Sequence, residues 1–264
     1  MNPLAEHLLS AMLIGLITGL FSGLFGIGGG VVCTPLLRLV LAADAHIAVG
    51  TTIALIIPTS MSGAINFLRQ ESINKKLAKS VVLPAVLGVL AGAALTNMVN
   101  GHTLMILFAV LVGLSGLDIS FGILQKLIAR ISGKEDVEHT EFPISVKKAM
   151  PLGLLAGFLA GFFGVGGGFI LVPCFSYLFH QPMKIAIGTS LLMVAAISIP
   201  GTITHALLGH VDLALMLSMM CGSIPGSFLG SMFALRLDDA WLRRGFGVLM
   251  LLVAGIMMLK EMHP

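Results

Sequence analysis

The chain has 264 residues, of which 57% are hydrophobic and 10% charged, with a formal net charge of +3 and a mean hydropathy of +1.03. Soluble domains carry about 25% charged residues, so this chain cannot cover itself with polar surface in water. The small positive charge suits loops lying against anionic headgroups and calls for no nucleic acid.

Apolar runs approaching the roughly 20 residues that cross a bilayer recur from end to end. In chain order the predicted segments are 8–25, 30–43, 47–68, 77–98 and 101–125, then 148–163, 168–181, 184–208, 211–235 and 241–260. The second and seventh are short for a full crossing, which leaves tilted, broken and re-entrant courses open. Met1 to Ser10 lacks a basic stretch and a small-residue cleavage site, so the first segment is expected to stay. Between the two groups of five, Ile131 to Pro143 is polar and of mixed charge and reads as a solvated linker. The division is a first unit at 1–130, a linker at 131–143 and a second unit at 144–264. Cys33, Cys174 and Cys221 lie in apolar segments without C-x-x-C spacing, and are expected to be buried packing residues. The sixteen methionines read as helix filler, with no M-x-x-M cluster beside His or Cys. Neither metal nor cofactor is expected.

The two units carry one pattern. GLFSGLFGIGGGVVCTP at Gly19 to Pro35 returns 138 residues later as GFLAGFFGVGGGFILVP at Gly157 to Pro173. The register holds without a gap. Ile47, Ala48, Gly50 and Thr51 fall on Ile185, Ala186, Gly188 and Thr189, and Gly63, Gly88 and Gly92 fall on Gly201, Gly226 and Gly230. Solenoid modules run only about 20–50 residues, whereas transporters are commonly built from internal repeats of this larger kind. An odd number of segments per unit inverts the second unit relative to the first. With the N-terminus outside, the inner side receives Arg69, Lys75, Lys76, Lys79, Lys126, Arg130, Lys134, Lys147, Lys148, Lys184, Arg236, Arg243 and Arg244, and only Arg38 and Lys260 fall outside. That distribution satisfies the positive-inside rule. The expectation is an all-α polytopic membrane protein of about ten segments in two inverted repeats, with both termini periplasmic. Three crossings per unit, with the first pair of segments as a re-entrant hairpin, would invert the repeat equally well.

Two kinds of glycine pattern follow. Gly15, Gly19 and Gly23, and likewise Gly153, Gly157 and Gly161, stand at the four-residue spacing of helices that touch in lipid. The triplets Gly28, Gly29, Gly30 and Gly166, Gly167, Gly168 do not make one helix face. Such a turn can aim several N–H groups at one point, and the helix it opens adds partial positive charge. In an inverted repeat the two loops approach from opposite faces and would hold an anion between two helix N-termini. Thr51 and Thr52, and their counterparts Thr189 and Ser190, stand near the starts of the next helices, where their hydroxyls can donate to the same oxyanion. Helix capping or back-bonding is the alternative for them. No Arg or Lys lies deep in a segment, so the holding would fall to backbone and hydroxyl dipoles.

The doubled glycine motif, with AVGTT at Ala48 to Thr52 and AIGTS at Ala186 to Ser190, resembles the TauE/SafE family of sulfite and organosulfonate exporters over almost the whole chain. The resemblance implies a proton-coupled carrier of small sulfur oxyanions in the bacterial inner membrane. Its partners would be the anion and the lipid bilayer, and a homodimer is compatible with it. An anion channel, or an importer of sulfate or thiosulfate, is the alternative on the same architecture.

Ionisable groups inside a membrane are expensive and point to function. His205 falls opposite Phe67 in the repeat and Asp118 opposite Ile256, which makes both candidates for proton coupling. Arg38 and Asp44 read as interfacial anchors. An intramembrane serine protease has one foothold, since Gly113, Ser115 and Gly116 match G-x-S-G and His205 would be the base. A Ser–His dyad needs hydrogen-bond reach. The segment order instead puts Ser115 toward the cytoplasmic side and His205 near the outer one, so no catalytic residue and no enzyme is expected.

Overall fold

The computed structural model describes residues 3–122 and 146–262, which form ten α-helices and no strand among the described residues. The first five are α1 (Pro3–Phe25), α2 (Gly30–Val40), α3 (Ala45–Arg69), α4 (Lys75–Thr96) and α5 (Gly101–Phe121). The second five are α6 (Val146–Phe163), α7 (Gly168–Leu178), α8 (Met183–Leu207), α9 (Leu213–Arg236) and α10 (Asp239–Met262). From α7 onward each helix begins 138 residues after its counterpart in the first set. The linker at 131–143 lies outside the described residues. Side-chain caps fix four of the starts. Asp44, Asn74, Asn100 and Asp212 accept the N–H of His46, Leu77, Thr103 and Leu215 at 2.8, 3.0, 2.8 and 2.9 Å.

Seven helices are long and apolar enough to cross a membrane: α1, α3, α4, α5, α8, α9 and α10. The eleven-residue α2 and α7 rise only about 16 Å, against a hydrocarbon core of about 30 Å. Both double back. Gly29 lies against Thr18 and Ser22, and Cys33 and Leu37 cluster with Ala11 and Ile14, so α2 returns along α1. Gly167 lies against Ala156 and Ala160 in the same way, so α7 returns along α6. The short segments of the sequence are therefore the return arms of two helical hairpins, not full crossings.

The glycine stripes do what their spacing predicts. Gly15, Gly19 and Gly23 of α1 rest on the backbone of Met219, Ser223 and Ser227 of α9, and Gly222, Gly226 and Gly230 rest on Met12, Leu16 and Leu20. Gly153, Gly157 and Gly161 of α6 rest on Val81, Ala85 and Val89 of α4, and Gly88 and Gly92 on Leu154 and Phe158. The numbers rise together, so each pair runs parallel, and a methyl at most of these sites would enter a backbone carbonyl. Each hairpin is thus clasped by a helix of the other set. At the centre α3 and α8 run antiparallel, with Gly63 against Leu191 and Gly201 against Ile53, and with Gly50 against His210 and Gly188 against Ser72 in the turns that follow α8 and α3. These contacts come in pairs related by the repeat offset, as a local two-fold axis across α3 and α8 requires.

The helix ends collect at two ends of the bundle. At one, Asn74 bonds Gln181 at 3.1 Å and Lys184 Nζ donates to Leu235 O at 3.0 Å. Arg69, Lys75, Lys76, Lys79, Arg236, Arg243 and Arg244 stand at or near helix ends on this basic end. At the other, the histidine end, Arg38 donates to Glu261 at 2.8 Å, and Glu261 also meets His102 at 2.9 Å. The cysteines divide: Cys33 is buried, Cys174 half-buried and Cys221 exposed. The expected burial of all three therefore holds only for Cys33, because Cys221 stands on an outward face of α9.

Candidate anion site

Gly26, Gly28 and Gly29 have φ of +73°, +73° and +88°, and Gly164, Gly166 and Gly167 have +67°, +73° and +72°. A Cβ is strained in this left-handed region, which is why the turn needs glycine. Gly29 and Gly167 cap α2 and α7, and neither cap offers a side chain to the helix start. An α-helix leaves its first four N–H groups without an intrahelical partner, so both starts present donors. The two starts also meet, with Gly30 packed on Val165 and Gly168 on Gly26 and Ile27. All six triplet glycines are thus gathered at the centre of the molecule, N-terminus facing N-terminus.

The space between the two loops is apolar. A Cβ at Gly28 would lie 2.5 Å from Val194 Cγ1 and 3.1 Å from Ile56 Cγ2, and one at Gly166 would lie 2.6 and 3.3 Å from the same atoms. Ile56 and Val194 are themselves counterparts, so one side chain from each unit covers both loops.

The four hydroxyl residues are fully buried and tie the loops to the helix ends. Thr51 Oγ1 accepts Asp212 N–H at 3.0 Å, and Thr189 Oγ1 accepts Asn74 N–H at 2.9 Å. Each keeps its own proton to donate. Thr34 donates to Thr52 at 3.3 Å, while Ser190 donates to Gly26 O at 2.8 Å and so pins the first glycine loop to α8.

His205 and Asp118 are not brought together. Asp118 stands in the last turn of α5 at the basic end, and His205 in the last turn of α8 at the histidine end. His205 is fully buried, its Nε2 2.8 Å from Gly161 O and its Nδ1 3.2 Å from His210 Nδ1. A carbonyl only accepts, so Nε2 carries the proton, Nδ1 of the neutral ring accepts, and His210 Nδ1 donates. A second proton on His210 would enter at Nε2, which faces Asn97 Oδ1 at 3.2 Å. The His210 ring stands 5.1 Å from the His46 ring, and His46 is flanked by exposed Asp44. A file of imidazoles thus leads from solvent-exposed Asp44 to buried His205. Burial first, and then the neighbouring His46, push the His210 imidazole below its ordinary value, although Asp44 works the other way. Ser115 donates to Leu111 O at 2.9 Å, so Ser115 and His205 are each engaged elsewhere and form no pair.

Sequence reasoning missed His46 and His210, which lie 164 residues apart and meet only because the starts of α3 and α9 share one end. It also missed a set of buried hydroxyls beside the first loop: Thr18, Ser22, Ser60 and Ser227. For three of them the signal was present as a difference between the repeats, since the counterparts of Thr18, Ser22 and Ser227 are Ala156, Ala160 and Val89, whereas Ser60 is matched by Ser198.

Seven apolar spans and two hairpins meeting at glycine turns describe a polytopic membrane protein, and comparison with known families narrows it. The model of the sulfite exporter TauE/SafE family matches residues 11–257. The chain belongs to that family. Among its relatives is a "Probable membrane transporter protein" of Xylella fastidiosa, 29% identical over 232 residues that cover 87% of this chain and 86% of the relative. The "Probable membrane transporter protein YunE" of Bacillus subtilis is 26% identical, covering 83% and 86%. One from Methanocaldococcus jannaschii is 24% identical over 88% of each chain. No solved structure matches the chain. As a TauE/SafE member it is a membrane transporter.

Proposed function

We propose that this TauE/SafE protein is a secondary carrier that moves a small sulfur oxyanion, sulfite or an organosulfonate, across the bacterial inner membrane in exchange for the proton gradient. The observation that carries the reading is the meeting of two helix N-termini at glycine turns inside an apolar protein. Helix starts with unpaired N–H groups and positive partial charge are sites for anions. Irregular backbone at membrane depth is tolerated where it lines a path. Gly28, Gly29, Gly30, Gly166, Gly167 and Gly168 form the site, with Thr51, Thr52, Thr189 and Ser190 along the approaches from the two ends. The basic end faces the cytoplasm and the histidine end, with both termini, the periplasm. The units 1–130 and 144–264 are then inverted repeats, and rocking of one hairpin and its clasping helix against the other alternates access.

Proton coupling falls to His205, reached through His46 and His210 from the periplasmic end. Asp118 is the second candidate, placed for the cytoplasmic end. The test is flux in proteoliposomes after a pH step. A carrier accumulates sulfite or methanesulfonate against its own gradient. Flux that only runs down the anion gradient, whatever the pH, would make the protein a channel.

A further inference from the structure

The two glycine loops share a backbone but not a setting. Around the first, Ser60 Oγ would stand 3.2 Å from a Cβ on Gly28, Thr18 Cγ2 2.7 Å and Ser22 Cβ 3.4 Å from one on Gly29, and Ser227 Oγ 2.6 Å from one on Gly63. Gly63 itself packs 3.5 Å from Gly23 Cα by the same measure, so these residues of α1, α3 and α9 form one contiguous bed. Around the second loop, Gly167 meets Ala156 O and Ala160, and Gly201, the counterpart of Gly63, meets Ile53 and Val89.

The hydroxyls of the bed are anomalous in a second way. Thr18, Ser22, Ser60 and Ser227 are at most 1% exposed. The oxygens of Ser22, Ser60 and Ser227 have no hydrogen-bond partner, and that of Thr18 has only the weakly bonding thiol of Cys33 beside it. A helical Ser or Thr in apolar surroundings can always return to the carbonyl four residues back. Thr59, Thr96, Ser115, Thr204 and Ser218 of this chain do so. Four neighbouring hydroxyls that do not are four donors held ready, and buried donors left unpaired are costly. On the second side, among the described residues, Ser198 Oγ shares that condition, and Thr202 Oγ1 is unpaired on a half-buried residue.

We propose that the anion is bound on one side of the two-fold axis only. The site is the bed of Thr18, Ser22, Ser60 and Ser227 against Gly28 and Gly29, and its ligand is a singly charged oxyanion such as a sulfonate or hydrogen sulfite. This deepens the carrier reading and rests on it. Ile56 and Val194 fill the axis, which moves the anion off-centre, and the hydroxyls select the side. Each hydroxyl supplies one donor to an acceptor-only ligand. The bed includes no cation, and the penalty for burying an ion rises steeply with its charge, so a dianion such as sulfate is disfavoured.

The decisive comparison is Ser60→Ala against Ser198→Ala, two equivalent and equally buried hydroxyls, with methanesulfonate binding measured calorimetrically on the purified full-length protein. Removing an unpaired hydroxyl breaks no bond of the folded state, so both variants should melt at or above the wild-type temperature. Ser60→Ala should weaken binding about tenfold or more, the worth of one hydrogen bond to a charged group, and Ser198→Ala should change it by less than about threefold on the same scale. The triple variant Thr18→Ala, Ser22→Ala, Ser227→Val, which gives the first side the residues of the second, should abolish measurable binding. Wild-type sulfate binding as tight as methanesulfonate binding would overturn the monoanion assignment. Equal losses in Ser60→Ala and Ser198→Ala would overturn the one-sided site and leave a symmetric one. Undiminished binding and flux in the triple variant would overturn the hydroxyl site while the carrier reading stands. A wild-type protein that neither binds nor moves any sulfur oxyanion would instead remove the carrier reading beneath it.

Discussion

One position of the fold is built twice, from opposite materials. On the second side Ala85, Val89, Ala160 and Ile197 form a closed apolar cluster between α4, α6 and α8. Shifted by the repeat offset, the same four positions are Ser223, Ser227, Ser22 and Thr59, between α9, α1 and α3. Thr59 gives its proton to Leu55 O, so Ser223 donates to Thr59 Oγ1 at 2.8 Å, and further along the same seam Ser62 donates to Ile224 O and Asn66 to Ser231 Oγ, both at 2.8 Å. The backbone course is common to both sides, because the glycine stripes that let the helices touch are common to both. Small residues are therefore sufficient for the shape, and either hydroxyls or methyls can fill it. The apolar version shows what packing alone asks for. Part of the polar version goes into bonds between helices. Ser22 and Ser227 make none, and packing alone would be served as well there by the alanine and valine of the other side.

The largest effects should come from the caps, and they should dissociate. Gly29→Ala and Gly167→Ala place a Cβ at similar positive φ, a strain of about 1–2 kcal/mol in either case. They differ in what the methyl meets. At Gly167 it would stand 2.7 Å from the backbone carbonyl of Ala156, and at Gly29 2.7 Å from the Thr18 side-chain methyl, which can turn. Gly167→Ala should therefore lose more thermal stability, and Gly29→Ala more transport, by about a hundredfold in flux if it displaces two of the hydroxyl donors at roughly tenfold each. Packing glycines make the reference. Gly19→Ala, aimed into the Ser223 backbone, should fail in folding, seen as loss of monodisperse protein. Gly29→Ala transporting at the wild-type rate would end the case for an anion at the first loop.

The second asymmetry is histidine against phenylalanine. His205 is the counterpart of Phe67 and His210 of Ser72, so only one side has imidazoles in line. His205→Phe should keep downhill flux of methanesulfonate and abolish its accumulation on a pH step. Stability should carry a trace of the same file. Burial depresses the His210 value in the folded state, so below about pH 6.5, the ordinary imidazole value, the unfolded chain binds the proton that the folded one refuses. Stability is then fully present above that pH and lost as pH falls through it. The wild-type melting temperature should fall between about pH 7 and 5 more steeply than that of His210→Ser, and parallel curves would free His210 of that role.

Much of this was legible in the sequence, and for identifiable reasons. The helix starts at Gly30 and Gly168, and the stripes at Gly15 and Gly153, are written in glycine because only glycine meets those demands, so the pattern survives without a structure. Shortness showed that α2 and α7 do not cross by themselves, but the direction of return needed Leu37 to be seen beside Ala11 and Ile14. The histidine file and the unpaired hydroxyls were hidden for different reasons. Residues 46 and 210 are joined only because the starts of α3 and α9 lie at one end of the bundle. The want of a partner at Ser60 is a property of its surroundings that no spacing encodes. Reading the repeat for its mismatches as well as its matches would have marked Ser22 against Ala160 and Ser227 against Val89 as the places to look.

The smallest effects should mark how far the asymmetry reaches. Thr51 and Thr189 do one job on the two sides, each accepting the N–H that opens the turn before a clasping helix, from Asp212 and from Asn74. Val at either position keeps the shape and leaves that N–H unpaired, at about 1 kcal/mol by the usual worth of a neutral hydrogen bond. Because the bonds are equivalent, the two variants should lose equal thermal stability. If the anion only passes these hydroxyls on its way from one end or the other, flux should fall by a similar few-fold factor in both, below the tenfold expected of a donor that stays bound to a charged ligand. A loss at Thr51 matching that of Ser60→Ala, with Thr189→Val close to wild type in flux, would instead extend the one-sided site outward from the glycine loop. The bound anion would then be held along the Thr34 and Thr52 pair toward the histidine end, and the two-fold relation would be one of backbone alone.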